Sequence, residues 1–280
     1  GLYCVVCLGF FAALFGGTPT LISNPTGPMT VIIAAVIAHL TATNDPEQGL
    51  AMAFTVVMLA GLFQILFGIF KLGKFITLMP YTVISGFMSG IGIIMILLQV
   101  APFFGQQNQG GILGAIRNAP QYISNAEPAA VTLGLITLAI VFLMPEKWKR
   151  IVPSQLVALV VGTLISMFFF QDAPLERIGE IPMGLPTLHF PTFTLPQLQT
   201  MVLDSVMLAM LGCIDSLLTS VIADSITQTQ HDSDKELIGQ GIGNVISGVC
   251  GGLPGAGATM GTVVNIQAGG RTVLSGMIHA

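Results

Sequence analysis

Asp215 is an acid in the middle of an apolar run, residues 200 to 226, and it is the first residue whose type and place invite chemistry. A charge at such a depth is costly and usually functional. Thr219 follows one helical turn later, so its hydroxyl shares a face with the carboxylate. Two Gly/Pro-broken passages complete the set. Gly16 to Pro28 leads into an apolar segment with Thr26 at its threshold, and Gly251 to Gly257 leads into another that opens on Ala258 and Thr259. A carboxylate, hydroxyls and loosened backbone carbonyls form an all-oxygen donor set of the kind that hard cations take. Free N–H groups at a helix start carry the positive end of the helix dipole and suit an anion.

The elements that must position these groups follow from composition. The 280 residues are 53% hydrophobic and only 8% charged, with a net charge of -4. A soluble domain carries about a quarter charged residues, so the expectation is an all-α polytopic membrane protein, multi-pass, with membrane lipid as its surroundings. Its apolar runs are of helical length, unlike the alternating strands of a membrane barrel. No basic stripe is present, which excludes nucleic acid as a partner. Cys4, Cys7, Cys213 and Cys250 lie in apolar runs and read as small buried hydrophobes. The four histidines are scattered and read as no metal cluster.

In chain order, spans are expected at residues 1 to 15, 48 to 70, 79 to 101, 128 to 144, 151 to 170, 200 to 226 and 236 to 250. Residues 28 to 41 and 258 to 268 are too short to cross about 30 Å of hydrocarbon alone, so each reads as a half-helix starting inside the membrane. Polar loops are expected at 102 to 126, 171 to 197 and 227 to 236. Gly86, Gly90 and Gly92, with Ser85 and Ser89, are expected to admit a second helix at close range. Gln64 and Gln99 read as interhelical hydrogen-bonding groups. Asp204 and Asp224 read as interfacial or packing acids; Asp224 lies on the face opposite Asp215.

With alternate crossings, Lys71, Lys74, Lys147, Lys149, Arg150, Lys235 and Arg271 fall on one side and only Arg117 and Arg177 on the other. The positive-inside rule puts the larger group in the cytoplasm. The first half-helix then runs outward and the second inward, so their N-termini face each other, as in an inverted repeat. Thr26, Gly257, Ala258 and Thr259 are the expected anion-binding residues. Asp215, Thr219, Gly257, Ala258 and Thr259 are the expected ligands of a sodium ion. A proton on Asp215 is the rival to sodium, and both give symport. Asp215 and Asp224 cannot share a water as a protease pair would, so no enzyme is expected.

The opening GLY, the GGTPTLISNPTGPMTV passage, the GFMSGIGI span and the closing NIQAGGRTVLSG resemble, in order and spacing along the whole chain, the sulfate permease (SulP) family of anion transporters. Within it, the Asp215–Thr219 run and the Gly257–Ala258–Thr259 turn look like the sodium and substrate elements of the cyanobacterial sodium-dependent bicarbonate transporters. The resemblance implies a seven-plus-seven inverted repeat with interleaved core and gate helices, moving by an elevator-type mechanism. It implies that residues 1 to 280 are part of a transmembrane transport domain, without the first helix, the last helices and the cytoplasmic STAS domain. A homodimer through regions partly missing here, and a place in the plasma (cell inner) membrane, are further implications. The expected function is sodium-coupled bicarbonate symport. The alternatives are proton-coupled transport of sulfate or another anion, a nucleobase carrier of the related fold, and an anion channel. Many members carry a basic residue near the anion; none is found here, which favours a monovalent anion helped by a cation.

Overall fold

The computed structural model describes all residues except 1, 44, 79–80, 108–110, 146–147, 149–151, 153, 172, 174, 176–187 and 194–195. The chain divides into two compact units, residues 1–88 with 184–280, and residues 89–183.

The first unit holds α1 (Leu2–Phe15), α2 (Gly27–Thr43), α3 (Pro46–Ile69) and a 3-10 turn (Leu72–Leu78). It also takes the start of α4 (Tyr81–Phe103). Its second part holds α8 (Leu198–Thr227), α9 (Ser233–Val249), α10 (Thr259–Gln267) and α11 (Val273–His279). The second unit holds the rest of α4, α5 (Gly111–Ser124), α6 (Pro128–Leu143) and α7 (Ser154–Phe169). Pro46 and Pro128 stand in the first turns of α3 and α6, where a missing N–H costs nothing.

Two stretches of two residues, β1 (Ser23–Asn24) and β2 (Ala256–Gly257), pair antiparallel, Ser23 against Gly257 and Asn24 against Ala256. They stand just ahead of α2 and α10. Both broken passages therefore unwind as expected, and each is followed by a helix that starts in the interior of the first unit.

Packing in this unit rests on bare backbone. A Cβ on Gly61 of α3 would lie 2.6 Å from the Gly241 carbonyl of α9, and one on Gly239 would lie 2.5 Å from the Gly16 nitrogen. Side chains larger than hydrogen would hold the helices apart. The close approach expected at Gly86, Gly90 and Gly92 of α4 is not made: among the described residues, nothing lies within 4 Å of a Cβ built there. The small residues that matter are those of α3 and α9, whose neighbours bring backbone against them.

Among the described residues two helices, α3 and α8, are long and apolar enough to cross a bilayer alone. Residues 102–126, expected as a polar loop, include the helix α5, bent by 111° against α6. Leu113, Ile116 and Ile123 lie on an exposed stripe, with Arg117 and Gln121 on the flank beside it and Ala115 and Tyr122 buried on the opposite side. Such an amphipathic helix suits a membrane surface, which is why its polar residues disguised it. The Pro-rich loop at 171–197 falls largely outside the described residues, as do Lys147, Lys149, Arg150 and Arg177. Of the cations expected on one side, Lys71 and Lys74 flank Gly73, whose N–H donates to Asp234 Oδ1 (3.1 Å), next to Lys235. These three share one end of the first unit.

Candidate functional site

The β1–β2 pairing brings the starts of α2 and α10 side by side. Its hydrogen bonds continue past the strands: the Ala258 N–H donates to the Ile22 carbonyl (2.7 Å), and the Ile22 N–H to Thr262 Oγ1 (3.0 Å). Asn265 Nδ2 donates to the Thr20 carbonyl (2.9 Å). The lead of the first half-helix is thus tied to the body of the second, and the two leads to each other.

Ala258, the residue before α10, has no side-chain group to cap it. The first-turn N–H groups of a helix have no partner within it, so from Thr259 onward they stand at the open end. The Ala258 N–H is spent on Ile22, so an anion there would meet the next residues instead. At the start of α2 the Thr26 carbonyl accepts from the Thr30 N–H (2.9 Å). The Thr26 hydroxyl is buried and makes no hydrogen bond within the structure.

The α8 helix supplies the third side. Asp215 is 5% exposed, and its Oδ2 also has no hydrogen-bond partner. Thr26 is the side chain that faces this carboxyl. Two orphaned oxygens therefore lie next to one another where helix starts converge. Ser216, the next residue, accepts the Gly257 N–H on its Oγ (3.0 Å). Thr219 Oγ1 lies 3.0 Å from the Gly257 carbonyl, to which it donates, and 2.9 Å from Thr259 Oγ1. All the expected site residues, Thr26, Asp215, Thr219, Gly257, Ala258 and Thr259, are gathered in one place within the first unit. A buried carboxylate faced by one hydroxyl, with two more hydroxyls and a carbonyl clustered at Thr219, one helical turn on, offers the oxygen donors that a hard cation takes. Among the described residues no group of three His, Cys, Asp or Glu is placed to hold a metal, so the chemistry here is that of mixed oxygens.

Of the other acids, Asp224 caps the end of α8: its Oδ2 accepts from the His231 N–H (3.0 Å) and pairs with His231 Nδ1 (2.7 Å). It serves the turn rather than the site. Gln64 accepts from Asn244 Nδ2 (2.9 Å), an interhelical bond as expected. Sequence reasoning missed Ser216 and the buried polar face of α9, Glu236, Gln240 and Asn244. Their i, i+4, i+8 spacing was the available signal.

Residues 1–280 match the family model described as the sulfate permease family along their whole length. The chain belongs to the sulfate permease family. It is a family of permeases, not enzymes, and the chain is a multi-pass integral membrane protein. The protein named bicarbonate transporter BicA from Synechocystis is 64% identical over the whole chain, which covers 50% of that relative. A putative sulfate transporter of Bacillus subtilis is 34% identical over the whole chain and 52% of its own length. The chain thus spans about half the length of the curated relatives it matches. The solved transmembrane domain of a cyanobacterial BicA superposes with a TM-score of 0.93 at 63% identity, covering 99% of this chain and 71% of that one. Murine Slc26a9, at 19% identity and a TM-score of 0.81, shares the fold over 98% of this chain and 50% of its own. The helical inverted-repeat fold, with two half-helices meeting at their N-termini, is therefore established for this chain.

Proposed function

We propose that the protein of which this chain is part is a secondary active anion transporter, and that it carries bicarbonate together with sodium across the plasma membrane. One observation carries the reading. Two helix starts converge beside Asp215, whose Oδ2 has no partner, as the Thr26 hydroxyl has none. The anion would be held by Thr26 and by the first N–H groups of α10 from Thr259 on, with Gly257 and Ala258 giving close backbone approach. Sodium would be held by Asp215, Thr219, Thr259 and the carbonyls of Gly257 and Ala258. Its charge would offset the carboxylate and add to the field at the anion. Relatives at 64% and 62% identity, both named bicarbonate transporters, support this choice of anion.

Residues 1–280 act in this reading as part of the transport domain, with the first unit as the body that carries the site. An elevator-type movement would take that body, with both half-helices, past the rest. The full protein would work as a homodimer through regions outside this chain. Sulfate is kept as the second reading because relatives at 34% and 32% identity are named putative sulfate transporters.

The test is uptake of labelled bicarbonate and labelled sulfate side by side, in sodium and in choline medium, by the full-length protein and by Asp215→Ala. Sodium-dependent bicarbonate uptake that falls about 100-fold in the variant is expected, since an unreplaced charged ligand is worth about 3 kcal/mol. Uptake by Asp215→Ala equal to the parent, or uptake indifferent to sodium, removes the coupling role.

A further inference from the structure

Both half-helix leads rest on the same helix, which touches neither the proposed anion nor the proposed cation. On α9, Glu236, Gln240, Asn244 and Ser247 recur at helical spacing on one face, and each is 1% exposed or less. The lower end holds the first lead. Glu236 Oε2 accepts from the N–H groups of Gly17 and Thr18, each at 2.9 Å. Gln240 Nε2 donates to Ser23 Oγ (2.6 Å) and to Glu236 Oε1 (2.9 Å). The upper end holds the second lead. Asn244 grips the Gly255 peptide from both sides, donating from Nδ2 to its carbonyl (3.0 Å) and accepting its N–H on Oδ1 (2.9 Å). Ser247 Oγ donates to the Leu253 carbonyl (2.8 Å).

We infer that this polar face is a ruler, and that Glu236 and Asn244 are positioning residues that set the separation of the two half-helix starts. The rungs from 236 to 247 span about 16 Å of rigid helix at 1.5 Å per residue. One lead enters from each end, and the two meet at the Ser23–Gly257 pairing between them. Extended leads have no intrinsic rigidity; fixed on a single helix, the two starts can move only as one body. The unpartnered Gln240 Oε1 fits a clasp built from the donor side of its amide. The inference rests on the proposed transport reading for its functional consequence, but not for the ruler itself.

Two measurements on the full-length protein in proteoliposomes separate these. Amide hydrogen exchange reads the ruler. Glu236→Ala and Asn244→Ala each remove one end, and each should quicken exchange about tenfold or more at both leads, Gly17–Thr18 and Gly255, the loss expected for one or two buried hydrogen bonds. Exchange that stays parental, or that changes only at the substituted end, overturns the ruler whether or not the protein carries any anion. Labelled bicarbonate uptake reads the positioning. The half-saturating concentration should rise about tenfold, the loss of about 1.4 kcal/mol of binding, with the maximal rate within about twofold of the parent. Glu236→Gln should restore both readouts, because its amide oxygen still accepts from Gly17 and Thr18 and the Gln240 amide can turn to meet it. Parental half-saturation in a variant whose leads exchange faster, or a Glu236→Gln variant as impaired as Glu236→Ala, overturns the positioning role. Gln240→Met, equal in length and without an amide, serves if the alanine variants do not accumulate.

Discussion

The two half-helix leads arrive at the site with opposite chemistry. The second, from Gly251 to Ala258, is saturated with hydrogen bonds: Asn244 holds Gly255, Ser216 and Thr219 hold the two sides of Gly257, and Thr219 reaches on to Thr259. The first, from Gly16 to Thr26, is anchored at its far end by Glu236 but arrives at the site with the Thr26 hydroxyl unspent. One lead is built to hold fixed carbonyl and hydroxyl oxygens in place, as a cation site needs. The other delivers a donor that the chain itself does not use, as an anion site needs. In the proposed transport reading, the repeated fold therefore does not carry a repeated role.

The contrast can be broken most severely at the second lead. A Cβ on Gly255 would run into the Asn24 carbonyl and the Leu8 side chain. Gly255→Ala should cost about 3 kcal/mol or more through forced backbone shifts and leave little folded protein by thermal unfolding in detergent. Gly261→Ala, whose Cβ would sit 3.3 Å from Ile22 Cγ2, is the control, and should fold. Next comes Thr219→Val, which deletes two hydrogen bonds at near-constant shape. It should raise the half-saturating sodium concentration about thirtyfold, at about 1 kcal/mol per bond, with a smaller effect on bicarbonate at saturating sodium. The smallest effect is expected at the first lead. Thr26→Val removes a hydroxyl that faces Asp215 without a well-formed hydrogen bond, so the unfolding midpoint should change little. The half-saturating bicarbonate concentration should rise about fivefold, the worth of one hydrogen bond. If Thr26→Val shifts sodium dependence as strongly as Thr219→Val, the two leads share one role and the comparison fails.

The sequence was legible where chemistry and backbone coincide. Asp215 and Thr219 share a face by spacing alone, and Gly/Pro runs before short apolar segments announce half-helices without any contact being known. Legibility failed where meaning depends on a distant partner. Glu236, beside Lys235 and Asp234 at a helix start, reads as an ordinary first-turn acid. Its 1% exposure arises only because Gly17 and Thr18, 218 and more positions away, dock on it. Ser216 is one more small residue in an apolar helix until Gly257 lies against it. The glycines of α4 looked like packing residues because close approach has a sequence signature, while the identity of the neighbour has none. α5 was hidden by Arg117, Asn118 and Pro120, which read as loop when taken singly, although the apolar residues around them keep a helical spacing.

The bond from Gln240 to Ser23 joins residues 217 positions apart. At about 5 to 20 residues per second of synthesis, that gap is about 10 to 40 s. For that interval the nascent first lead, with the amides of Gly17 and Thr18 and the hydroxyl of Ser23, has no Glu236 or Gln240 to receive it. Unpaired backbone cannot rest in hydrocarbon, so the early segment must wait at the lipid boundary or inside the insertion machinery. Docking of the first lead must therefore wait until α9 has emerged.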